Sequence, residues 1–130
     1  MKKVILPILA LSMLVVAGGL SPARAAQDKP VSYKENVAPV IKKYCGGCHG
    51  DQNPRPVARL VLTTPKGIQT GGVSGKIIKD KNSKESLLII RLRGEGNKQM
   101  MPPGRGEKLS KEQVDTIARW IDEGAKFDNE

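Results

Sequence analysis

The segment YCGGCH at residues 44–49 constrains this chain more than any other feature. Cys45 and Cys48 are separated by two glycines, and His49 follows directly. At the end of a helix, residues three positions apart share one face. Both thiols can then reach the two vinyl groups of one porphyrin, while the imidazole turns toward its iron. Cys-x-x-Cys-His is the attachment sequence of c-type haem, so the sequence predicts one covalent haem c with His49 as an iron ligand.

Other chemistries for this segment fit poorly. A thioredoxin-like redox pair needs a βαβ context, and no buried-strand pattern flanks the two cysteines. A structural zinc site needs four ligands, whereas the chain has two cysteines and one histidine. A plain disulfide would leave His49 unexplained. We therefore expect Cys45 and Cys48 to form thioethers rather than a disulfide.

The N-terminus has the pattern of a secretory signal peptide. Lys2 and Lys3 make residues 1–3 positively charged, residues 4–20 are apolar, and Ala23 and Ala25 suit a cleavage site. A membrane anchor is the alternative, but the apolar stretch is shorter than the ~20 residues that a spanning helix needs. We expect a cleaved signal at 1–25 and one domain at 26–130, in the periplasm or otherwise exported, without stable membrane insertion.

The charge balance bears on partners. The chain has 22 Lys and Arg against 13 Asp and Glu, a formal net charge of +9. Such a basic surface steers a protein toward an acidic docking face on a redox partner. Export argues against nucleic acid as the partner, and a merely solvated surface is the alternative. The lysines that carry this expectation are Lys42, Lys43, Lys66, Lys76, Lys79, Lys81 and Lys84.

A domain of this size has a limited apolar core. Only 3% of the chain is aromatic. A porphyrin is a large, flat, apolar body that would supply part of the interior. We therefore expect the chain without haem to fold poorly.

Helical periodicity first appears just before the haem motif, at Val37, Val40, Ile41 and Tyr44. Asn36 is the preferred N-cap, because Pro39 then falls in the first turn, where a missing N–H does no harm. An earlier capping box formed by Ser32 and Glu35 is the alternative, but it would place Pro39 inside the helix. Either start leads the helix directly into Cys45.

Three further helices follow from capping signals. A threonine–proline pair at 64–65 opens a short helix that ends near Gly71. Asn82 and Glu85 are expected to cap a helix that stops at Gly94 and carries Leu87, Leu88, Ile90 and Leu92. Ser110 and Gln113 form a capping box before the buried stripe Val114, Ile117, Ala118 and Ile121, which Gly124 terminates. The prediction is an all-α fold with three main helices and a short one.

The second axial ligand of the iron must be sought elsewhere, since His49 is the single histidine of the chain. Beyond the predicted signal, the methionines are Met100 and Met101, in the sequence KQMMPPG at 98–104. Histidine–methionine ligation raises the haem potential. Two prolines in a row fix φ twice and stiffen the loop that must hold a weak iron–sulfur bond. Ordinary loop packing is the alternative for these methionines.

The order of these features resembles the class I c-type cytochromes, and most closely the planctomycete-type cytochrome c domain, over about residues 33–127. The resemblance rests on residues 44–50, LVLTT at 60–64, GGVSG at 71–75, MPP at 101–103 and WIDEGA at 120–125. It implies a class I cytochrome c-like fold around one covalent haem. It also implies Cys45 and Cys48 as thioethers, His49 as one iron ligand and Met101 as the other. Met100 stands where the family often has a basic residue, which leaves the choice between the two methionines open.

The expected function is single-electron transfer between redox partners by an exported monohaem cytochrome, rather than enzymatic catalysis. Asp115, Asp122 and Glu123 are expected on the solvent side of the last helix, so no catalytic residue is assigned. Two alternatives remain open. The chain is the haem subunit of a larger oxidoreductase complex, or it is a ligand sensor or peroxidase in which the methionine is displaced.

Overall fold

The computed structural model describes residues 29–128, and the predicted signal peptide and its cleavage site lie outside the described residues. In chain order, the elements are a π-helical turn at Tyr33–Val37, α1 at Ala38–His49, a 3-10 turn at Val57–Arg59, α2 at Pro65–Thr70, α3 at Leu87–Arg93 and α4 at Lys111–Asp122. Residues 29–128 form no β-strand, so the predicted all-α class is confirmed. None of the helices within 29–128 is both long and apolar enough to cross a membrane.

The first helical segment begins four residues earlier than predicted. Ser32, not Asn36, is the N-cap: its hydroxyl accepts from the backbone N–H of Glu35 at 3.0 Å. Asn36 instead accepts from the N–H of Ser32 through its side chain. Pro39 is accommodated because a π-turn precedes it, in which the N–H of Ala38 donates to the carbonyl of Tyr33, five residues back. Because the π-turn is wider than an α-helical turn, Pro39 fits a helical segment that is capped at Ser32. The reason for expecting the N-cap at Asn36 therefore no longer applies.

The helices α2 and α4 confirm their predicted signals. Thr64 caps α2 by accepting from the N–H of Gly67 at 3.1 Å, and Gly71 ends it at φ 80°. Both halves of the Ser110–Gln113 capping box are formed at the start of α4. Its buried face contains the four predicted residues and also Trp120, which is 1% exposed. These helices were predictable because every signal is local.

The helix α3 starts later than predicted. Asn82 caps a separate turn by accepting from the N–H of Glu85, whereas Ser86 is the residue that precedes α3. The Ser86 hydroxyl donates to the carbonyl of Asn82 and accepts from the N–H of Lys79, so its buried side chain joins two turns. The predicted stop at Gly94 is confirmed, with φ 67°.

Buried residues from the π-turn and from all four helices form one core, with an aromatic cluster at one end. Tyr33, Trp120 and Phe127 contact one another, with ring centroids 4.7–5.4 Å apart. The indole N–H of Trp120 donates to the carbonyl of Lys126 at 2.8 Å, so its polar atom is satisfied. We call this region, formed by residues 29–37 and 119–128, the aromatic end.

Two carboxylates expected on the solvent side of α4 also have structural partners, and Asp122 is exposed as expected. Asp122 accepts from both the N–H and the hydroxyl of Ser83, at 2.7 and 2.9 Å. Glu123 accepts from the N–H of Val31 at 2.7 Å. These bonds join segments 39 and 92 residues apart, which no local pattern reveals. Asp115 does bind surface cations, pairing with Arg93 and Lys111.

Candidate functional site

A cleft opens between the end of α1, residues 57–62, α3 and the loop 95–109, which we call the methionine loop. Roughly 1060 Å³ within it is not filled by protein atoms, part of this being open to solvent. All four predicted site residues line it: Cys45, Cys48, His49 and Met101. The fold therefore gathers residues that are more than fifty positions apart in the sequence.

The two thiols lie near the C-terminal end of α1 in different environments. Cys45 is half-buried and Cys48 is exposed, and both are free. Burial raises the pKa of the Cys45 thiol to about 11, and the neighbouring Cys48 adds to the shift. At neutral pH Cys45 is therefore a neutral thiol, suited to an apolar wall. A Cβ added at Gly47 would meet no atom, so packing within residues 29–128 does not require that glycine.

The imidazole of His49 is oriented by the backbone of the neighbouring segment. Its Nδ1 lies 3.2 Å from the carbonyl oxygen of Leu60. A carbonyl can only accept, so Nδ1 carries the proton and Nε2 is the nitrogen with a free lone pair. The N–H of Leu62 donates to the carbonyl of His49 at 2.7 Å. Two residues on, Asp51 and Thr63 bind each other through two hydrogen bonds. The histidine is thus fixed in both position and tautomer, as metal-binding imidazoles require.

The two methionines of the loop have different surroundings. Met101 is half-buried and lines the cleft together with Pro102 and Pro103. Its N–H donates to the carbonyl of Arg91 at 2.8 Å, which ties the methionine loop to α3. Met100 is 42% exposed and does not line the cleft. Its side chain lies over Gly94, where an added Cβ would stand 3.1 Å from the methionine Cε.

The residues of the cleft fit a c-type haem. They offer two thiols for thioether bonds, one imidazole nitrogen and one thioether sulfur, within walls built mainly of aliphatic side chains. Cys45 and Cys48 would hold the porphyrin, and His49 and Met101 would hold the iron. Within residues 29–128 there is no group of three or more His, Cys, Asp and Glu side chains with the arrangement of a metal site.

Sequence reasoning missed a contact between the end of α1 and the methionine loop. Glu107, in the methionine loop, accepts from the Tyr44 hydroxyl at 2.8 Å and from the Lys43 ammonium at 2.9 Å. Lys43 also lies 4.7 Å from the centre of the Tyr44 ring. Lys43 and the Tyr44 hydroxyl hold the pKa of the Glu107 carboxyl below its usual value. The tyrosine beside Cys45 was visible in the sequence, but its partner lies 63 residues away.

A comparison with protein families identifies the segment that contains these residues. Residues 45–104 match the family model of Planctomycete cytochrome C. The match begins at Cys45 and ends just after Met101-Pro102-Pro103, so it spans every residue assigned to the cleft site by sequence. No curated protein and no solved structure gives a significant match to the chain.

Proposed function

We propose that the chain is an exported monohaem cytochrome that transfers single electrons between redox partners, because residues 45–104 match the family model of Planctomycete cytochrome C. Cytochrome c domains carry covalently bound haem, and bound haem iron supplies the one-electron couple. The specific proposals are one haem per chain, thioethers at Cys45 and Cys48, and axial ligation by His49 and Met101.

The observation that carries the proposal is the convergence of His49 and Met101 on one cleft from two separate segments. The histidine comes from the end of α1 and leaves Nε2 free, because Leu60 engages Nδ1. The methionine comes from a loop that a backbone bond attaches to α3. If His49 and Met101 both held the iron, no position would be left for a substrate, which favours electron transfer over catalysis.

The choice of Met101 over Met100 rests on the direction of the two side chains. Met101 lines the cleft, whereas Met100 packs over Gly94 outside it. A methionine thioether on ferric iron gives a weak charge-transfer band at the near-infrared edge of the visible spectrum. Met101→Ala should abolish this band and lower the midpoint potential by on the order of 0.1–0.3 V, because axial ligands move haem potentials over about 0.8 V.

Met100→Ala is the matched control, since it removes the same side chain one residue away. It should leave the band and the potential nearly unchanged. The opposite pattern would move the ligand to Met100 without changing the function. A wild-type protein without the band would favour the second candidate, a ligand sensor or peroxidase with an exchangeable axial position.

The proposed partner is a redox protein with an acidic docking face. All seven lysines that suggested it are exposed. Lys43 and Lys79 pair with Glu107 and Glu85, and no ion pair within residues 29–128 engages the other five. These five are Lys42, Lys66, Lys76, Lys81 and Lys84. Exposed Val57 and Val73 lie at the cleft and offer an apolar contact beside them.

Such a surface makes the association rate depend on ionic strength. The rate with an acidic redox partner should fall as salt rises, because charges are screened beyond a Debye length of ~8 Å at physiological salt. A salt-independent rate would contradict steering and leave the lysines as ordinary solvated surface. A stable complex during purification would instead support the role of a haem subunit in a larger oxidoreductase.

A further inference from the structure

Arg91 is the one permanently charged residue among those of the described chain that line the cleft. It lies on α3 with Leu87, Leu88 and Leu92, which line the same cleft. Spacings of one, four and five residues put these positions on one face of a helix. Arg91 therefore lies on a helix face whose other three residues are leucines.

The guanidinium of Arg91 has no acidic partner within residues 29–128, because none of the ion pairs there involves it. Its single side-chain bond is a long one, 3.4 Å from Nη1 to the carbonyl of Gln99. Arg93, two residues on, pairs with Asp115 at 3.3 Å. An arginine cannot lose its proton at physiological pH. A half-buried charge beside apolar walls is costly unless an opposite charge meets it.

We propose that Arg91 is a cofactor-binding residue that pairs with a propionate carboxylate of the haem. The inference rests on the proposed function, since it needs haem in this cleft. Haem carries two carboxylates on an otherwise apolar macrocycle, which matches one cation in an otherwise uncharged cleft. The planar guanidinium suits a carboxylate better than an ammonium does, because it donates two parallel hydrogen bonds.

The position of Arg91 couples this carboxylate to the iron ligand. The backbone carbonyl of Arg91 accepts from the N–H of Met101 at 2.8 Å. Its side chain donates to Gln99 in the same methionine loop. A cation here keeps the propionate ionised and also disfavours the extra positive charge of ferric iron. Loss of the cation should therefore raise the propionate pKa and lower the midpoint potential.

The test compares Arg91→Gln with Arg93→Gln in the haem-loaded protein. Both changes remove one positive charge from the same helix, but only Arg91 lines the cleft. The propionate pKa is read from the pH dependence of the haem-methyl NMR shifts, alongside the midpoint potential. In Arg91→Gln this pKa should rise by about one unit or more, a tenfold change in proton affinity. The potential should fall and become pH-dependent. Arg93→Gln should change neither, and Arg91→Lys should restore part of both.

A purely structural role for Arg91 predicts a different result. Loosening of the methionine loop would weaken the near-infrared band and lower the potential without moving the propionate pKa. An unchanged propionate pKa in Arg91→Gln, whether or not the band survives, overturns the assignment. It would leave the proposed function intact, because haem and its axial ligands would still be present. A wild-type chain without covalent haem would instead overturn the proposed function, and this assignment with it.

Discussion

The aromatic end and the cleft are built in different ways. At the aromatic end, protein groups contact one another: three rings pack at tilted and edge-to-face angles, and Asp128 and Glu123 bind the backbone of residues 31–34. At the cleft, hydrogen bonds mainly join neighbouring segments of the same wall. Examples are the bond between His49 and Leu60 and the bond between Met101 and Arg91. The exposed contact of Tyr44 and Lys43 with Glu107 is a bridge between α1 and the methionine loop.

The aromatic end is stabilised by contacts within the chain, whereas the cleft is arranged to receive a cofactor. The rings of the aromatic end pack against one another, so the chain itself covers much of their apolar surface. The cleft walls present aliphatic side chains to an open groove, and such surface is stabilised only when something apolar covers it. We therefore expect stability at the cleft to depend on haem far more than stability at the aromatic end.

The largest expected effect comes from removing both thioether positions. Cys45→Ala combined with Cys48→Ala should prevent covalent attachment and leave a largely unfolded chain, because the small core lacks the porphyrin surface. Circular dichroism should show weak helicity without a cooperative thermal transition. Any amide protection that survives in hydrogen exchange should be confined to the aromatic end. A cooperative, well-folded apoprotein would remove the contrast between the two regions.

A second change tests the aromatic end alone. Trp120→Ala should lower the free energy of unfolding of the haem-loaded protein by about 3–5 kcal/mol, the usual cost of deleting a buried aromatic ring. The midpoint potential should barely move, since Trp120 does not line the cleft. Denaturant unfolding measures the first and redox titration the second. Glu112→Ala, an exposed change in the same helix, should alter stability by no more than about 0.5 kcal/mol. A large shift in potential with Trp120→Ala would mean that the two regions are coupled.

The smallest expected effect is a change in how the stability of the fold depends on pH. The Ser32 hydroxyl and the N–H groups of Tyr33 and Lys34 hold the pKa of the Asp128 carboxyl below its ordinary value. A lowered pKa stabilises the fold fully above the ordinary carboxyl range and loses that contribution as pH falls through the lowered value. Asp128→Asn should therefore melt at a lower temperature than wild type at neutral pH. The difference should close in strong acid. A difference in melting temperature that persists at low pH would mean that the charge of Asp128 does not account for its stabilising effect.

Prediction from sequence succeeded where each signal was local. The capping box at Ser110, the Thr64 cap and the stop at Gly94 each depend on residues within one turn. The starts at Asn36 and Asn82 were wrong because two local caps competed, and burial of Ser86 and the π-turn before Pro39 decided between them.

The site residues were likewise predictable from sequence where their signal was local. The haem motif and the methionine pair were visible as short patterns in the sequence. Arg91 was missed, although an arginine among the leucines of a helical stripe is a readable signal. The partners of Asp122 and Glu123 had no such signal, because they depend on which loops the fold brings together.

Covalent attachment of haem can be read from the intact mass of the denatured protein, produced in a host that attaches c-type haem. We predict a chain carrying the mass of one haem, with peptide mapping that places both thioether bonds at Cys45 and Cys48. An unmodified chain from such a host, with the two cysteines joined as a disulfide, would contradict it.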